Sequence, residues 1–124
     1  MVLSPQNLWL GNININTFGM GLVSPSYRTF IIDNVNLGFI KPQLRTHRML
    51  YNYKMSSTQG ASVVRRNLDI ASFLSIKLKR PSAKSEENKI SQVLKSFDNQ
   101  IKDTTRVVHN LKEIRKSLLQ KMFV

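Results

Sequence analysis

From Ser85 to Val124 the chain runs forty residues without glycine or proline, and its apolar residues recur at alternating spacings of four and three. Little besides an α-helix tolerates that pattern, because steps of three and four residues return to one side of a helix with 3.6 residues per turn. The stripe runs through Ile90, Leu94, Phe97, Ile101, Thr104, Val108, Leu111, Arg115, Leu118 and Met122. Thr104 and Arg115 interrupt it, and polar groups at such positions weaken a coiled coil while fixing its register. Val93, Val107 and Ile114 add a neighbouring column, which widens the surface toward that of a helix in a bundle.

The helix start is also written in the sequence. Ser82 or Ser85 is expected as the N-cap, with Glu86 and Glu87 placing negative charge beside the unpaired N–H groups. Arg115, Lys116 and Lys121 complement the other end. Asp98 with Lys102, Asp103 with Arg106, and Glu113 with Lys116 are spaced to pair along the exposed side. A single helix of this kind is about 55 to 60 Å long, whereas a compact domain of this size has a radius of gyration near 14 Å. The rest of the chain is too small to cover it. The competing reading is a break at Asp103, Thr104 and Thr105, where helix propensity is lowest.

Charge narrows the choice of partner. Nineteen Lys and Arg against seven Asp and Glu leave 124 residues with a formal charge of +12, which favours nucleic acid, an anionic surface or an acidic protein face. Cysteine is absent, excluding disulfides, thiolate catalysis and thiolate metal sites. No N-x-Ser/Thr sequon, secretory signal pattern or apolar run of spanning length occurs, so an intracellular protein is expected, nuclear or cytoplasmic ahead of mitochondrial. The mitochondrial option rests on the few acids and the bases Arg28, Lys41, Arg45 and Arg48, but the first 27 residues hold no base.

Residues 1–54 carry four of the five glycines and three of the four prolines. They read as an extended basic arm or targeting segment, with short strands possible around the alternation Asn12–Asn16 and the apolar runs Thr29–Ile32 and Val35–Ile40. Residues 55–61 resemble a linker. Residues 62–80 fit either period, and a helix is preferred because no pairing strand is evident; Pro81 then ends it. The expected fold class is therefore mainly α: a long C-terminal amphipathic helix in a hairpin with a shorter preceding helix over 62–124, behind an N-terminal half that is extended or weakly structured.

No catalytic constellation emerges. Gly19-Met-Gly-Leu-Val-Ser24 departs from the dinucleotide fingerprint at its third glycine and is followed by Pro25, so a loop is expected. His47 and His109 are single histidines without companion ligands, and no metal site or cofactor is expected. Arg65 and Arg66, then Lys77, Lys79 and Arg80, are spaced like a bipartite nuclear localisation signal, with Lys84 close by. Arg45, Arg48, Tyr51, Tyr53 and Lys54 interleave bases with aromatics, a pattern that serves RNA by stacking and charge. Arg80-Pro-Ser82 suits a basophilic kinase.

Two functions follow. The first is a non-enzymatic interaction or assembly subunit. It packs Ile90, Leu94, Phe97, Ile101, Val108, Leu111, Leu118 and Met122 on partner helices or on a second copy, and lays its basic arm on an acidic surface. The alternative is a small ribosomal or chromatin-associated nucleic-acid-binding protein that uses Arg45, Arg48, Arg65, Arg66, Lys77, Lys79, Arg80 and Lys84. Neither involves a small-molecule substrate, and a membrane role is not expected.

Overall fold

The computed structural model describes residues 1–123. Val124, the last residue of the expected helical region, lies outside them. The chain is mainly α, with a few short strands in its N-terminal half and one long C-terminal helix. Three two-residue strands, β1 (Val2–Leu3), β2 (Ile13–Asn14) and β3 (Arg28–Thr29), form an antiparallel sheet with β1 in the middle. A 3-10 segment, Pro5–Leu10, connects β1 to β2 and ends at Gly11. There a φ of 86° brings the glycine N–H onto the Leu8 carbonyl, a left-handed conformation that costs a β-carbon dearly.

Two short helices follow, α1 (Leu37–Gln43) and α2 (His47–Met55), each started by a side-chain cap. Asn36 accepts from the N–H groups of Gly38 and Phe39, and Thr46 accepts from Met49. A hairpin of β4 (Ser57–Gln59) and β5 (Arg66–Leu68) leads into α3 (Ile70–Leu74), capped by Asp69. The chain then runs without regular structure to α4 (Lys84–Met122).

The core is Leu3, Leu8, Ile13, Ile15, Ile40, Leu44, Met49, Tyr53 and Phe73. All but Phe73 belong to residues 1–54, so the segment expected as an arm carries the interior of the fold. Its apolar pieces are each too short to build a core, but the turns between them converge on one centre. Trp9, Phe30, Ile32 and Leu50 close the periphery. A cleaved targeting segment spanning these residues would remove the core itself.

The helix expected over 62–80 is confined to Ile70–Leu74, and residues 66–68 are strand. The missing pairing partner was the segment read as a linker, since Thr58 sits opposite Asn67. Gly60 permits this approach: a β-carbon there would lie 2.7 Å from the Arg65 carbonyl oxygen, to which the Gly60 N–H donates. The shorter helix that precedes α4 is therefore only five residues long, and α4 packs chiefly on α1.

The competing break at Asp103–Thr105 does not occur, and the single long helix expected from the stripe is present. The helix is continuous for 39 residues, about 58 Å, and the Thr105 hydroxyl donates back to the Ile101 carbonyl at 2.7 Å, so its polarity is satisfied within the helix. Its N-cap is Ala83, without a side-chain hydrogen bond, rather than Ser82 or Ser85.

Candidate functional site

The seat of α4 is polar and specific. Glu87, one turn into the helix, is 1% exposed, and one carboxylate oxygen accepts from Arg80 Nε at 2.6 Å while the other accepts from the Asn36 N–H at 3.2 Å. Arg80 also donates to the Asn34 carbonyl, and the Asn36 amide donates to Asn88 Oδ1. The Arg80 hydrogen bond holds the Glu87 carboxyl below its ordinary range, against the opposing effect of burial. Glu87, which the sequence places in the first turn beside the unpaired N–H groups, is the buried ion of the junction, because Arg80 and Asn36 satisfy it there. Beside it α1 and α4 approach closely at Gly38, where a β-carbon would collide with the Ser91 side chain.

Only the first turns of the stripe are used in this contact. Ile90 and Leu94 are half-buried near Phe39 and Gln43 of α1. Every residue from Lys95 to Phe123 is exposed, a free length of about 40 Å. Phe97 is 58% exposed, Ile101 64%, Leu111 58% and Met122 72%. Val108 and Leu118 stand out on the same side, with Val107, Ile114 and Leu119 beside them. A contiguous apolar surface of this extent is rare on a chain that functions alone. Of the three expected charge pairs, Asp103 with Arg106 forms at 3.4 Å, and it is the only one among the described residues.

The basic residues divide into two groups. Arg45 donates twice to the Ile13 carbonyl, at 3.1 and 2.9 Å. Arg66 donates to Ser57 and to the Lys54 carbonyl, bracing the β4–β5 hairpin. With Arg80, these three are fixed by internal acceptors. Arg48 and Lys77 border a shallow depression together with Asn52, Ser72 and Ser75. Arg65 lies in the β4–β5 connection, Lys79 near the α1–α4 junction and Lys84 on the first turn of α4. Three of the eight bases are thus held by acceptors within the fold, and Arg48 and Lys77 are brought to one depression.

The interleaved aromatics are likewise separated. On α2 residues two apart point away from each other, so Tyr51 is exposed while Tyr53 is buried against Phe73, with ring centroids 5.9 Å apart. One apolar feature carries little signal in the sequence. Phe18, Met20 and Leu22 are almost wholly exposed on the glycine-containing loop between β2 and β3; apolar residues alternating with glycine are its only signal.

Among the described residues no three of His, Asp and Glu gather as a metal site would require, and no helix is long and apolar enough to cross a membrane. No protein-family model, curated protein or solved structure matches the chain.

Proposed function

We propose that this protein is a non-enzymatic assembly subunit in which a small folded head presents a long helix for coiled-coil packing. The observation that carries this reading is the free run from Lys95 to Phe123, exposed throughout and striped at alternating spacings of four and three. A helix with no tertiary packing has little but propensity to hold it in water, and an apolar stripe of such length is stabilised by a partner that buries it. The basic residues outside the three braced arginines contribute attraction to an acidic surface and raise the rate of encounter.

Leu111→Asp tests the reading. The site lies far from the head, so near-ultraviolet circular dichroism should be unchanged while the mass of the native complex falls to that of the single chain. A variant whose complex keeps its mass overturns the reading.

Nucleic-acid binding is the second reading, favoured by the depression where Arg48 and Lys77 meet serine hydroxyls and Asn52. It predicts affinity for RNA or DNA that falls steeply with salt, and a loss when Arg48 and Lys77 are both replaced by Gln. The three acids on the free part of α4, Asp98, Asp103 and Glu113, disfavour laying that helix along phosphates.

A further inference from the structure

We infer that the helix presented by the head pairs with the same helix of a second copy, antiparallel, about a two-fold axis between His109 and Asn110. This rests on the assembly reading and specifies its partner. In the alternating pattern Leu94, Ile101, Val108, Arg115 and Met122 take one of the two seam positions, and Ile90, Phe97, Thr104, Leu111 and Leu118 take the other. Antiparallel coiled coils layer one kind against the other across the axis, and a two-fold pairing repeats every contact on its opposite side.

With the axis between His109 and Asn110, Val108 meets Leu111 of the second copy and Ile101 meets Leu118. The two polar interruptions then meet each other: the Thr104 hydroxyl faces the Arg115 guanidinium, twice by symmetry. The flanking column is self-complementary in the same register, since Val107 falls beside Ile114. In the same column Gln100 falls beside Lys121, and on the opposite flank Thr105 falls beside Lys112 and Asp98 beside Leu119, so no like charges are opposed. Sliding either way by one heptad places Arg115 against Phe97 or Leu111 and leaves Thr104 facing an apolar side chain. A parallel, in-register pair is worse, because it sets Arg115 against Arg115 in the seam.

The length of the free helix selects the same register. Met122 of one copy layers with Phe97 of the other, immediately before Leu94, which α1 half covers. Sliding the helices toward the heads would drive Met122 into α1. Sliding them apart would leave Phe97 and Ile101 without a layer partner among the described residues. The stated register covers the exposed stripe and stops where the head begins.

The chain has no cysteine, so introduced thiols report on single positions. Thr104→Cys and Arg115→Cys chains, mixed and mildly oxidised, should give a disulfide-linked dimer of one of each. Arg115→Cys alone should not cross-link, because the two thiols are then about 16 Å apart along the axis, beyond the ~7 Å between α-carbons that a disulfide spans. As a variant that keeps the seam intact, Thr104→Asp places a carboxylate against each Arg115 and should tighten the dimer by up to roughly tenfold at low salt in sedimentation equilibrium; in a parallel pair it would oppose two carboxylates and loosen it. Self-cross-linking of Arg115→Cys, weakening by Thr104→Asp, a trimer, or a chain that is monomeric at its highest soluble concentration each overturns the inference. A monomeric purified chain whose native complex is still lost in Leu111→Asp would overturn only the self-pairing. A complex untouched by Leu111→Asp would overturn the assembly reading with it.

Discussion

Tyr53 joins α2 to the rest of the core. Its ring packs on Phe73, its hydroxyl donates to the Leu44 carbonyl at 3.0 Å, and burial pushes its phenol from 10.0 up to about 12. Because the folded value lies above the unfolded one, the stability this phenol supplies is fully present below pH 10 and is lost as pH rises from about 10 to about 12. An absorbance titration should therefore show one of the three tyrosines ionising only near pH 12, and Tyr53→Phe should abolish that step. The same variant leaves the Leu44 carbonyl without its donor and should cost about 1 kcal/mol in denaturant unfolding. Leu8, 1% exposed in the middle of the core, should cost more on truncation to alanine, about 2 to 5 kcal/mol. A Leu8→Ala chain as stable as the parent would mean that residues 1–54 do not carry the core.

The junction of α1 with α4 decides whether the long helix is held at a fixed angle or swings. Glu87 must be ionised to accept from both Arg80 and Asn36. Its folded pKa lies below the ordinary value of 4.5, so its contribution is complete above that pH and disappears as pH falls through the lower, folded value. Hydrogen exchange at Ala83–Leu94 should accelerate in that acid window before the core amides respond, and Glu87→Gln should remove the pH dependence by having the junction loosened already. Gly38→Leu should detach the helix at neutral pH, because the added side chain meets the Ser91 side chain where α1 and α4 pack together; protection in α4 equal to the parent's would exclude that contact. At this scale the sequence was readable where one period extended over many residues, as in α4. It was not readable where pairing joined distant short pieces. The strand at Arg66–Leu68 cannot be separated from helix without knowing that Ser57–Gln59 lies beside it, and nothing in the sequence marks Glu87 as buried, because its partners Arg80 and Asn36 are brought beside it only by the fold. Short strands take their identity from partners, whereas a long helix carries its own hydrogen bonds.

At the scale of the whole molecule, the core and the face proposed for association are separate. The core of residues 1–54 and Phe73 holds the head without help from the free helix, and the free helix offers an apolar face that the head never touches. Substitutions in the stripe beyond Lys95 should therefore change the unfolding of the dilute head by no more than about 0.5 kcal/mol, as for other exposed positions. The proposed association would add a term that depends on concentration, since a partner that binds only the folded state stabilises it by mass action. The melting temperature of the parent chain should accordingly rise as protein concentration is raised, and the helical signal of α4 should melt with the assembly rather than with the head. In Leu111→Asp both the rise and the separate helical transition should vanish, leaving one concentration-independent transition that near-ultraviolet circular dichroism assigns to Tyr53 and Trp9. Concentration-independent melting of the parent, with the free helix still fully formed, would require a source of stability for some 40 Å of exposed helix that neither its single ion pair, Asp103 with Arg106, nor its propensity supplies.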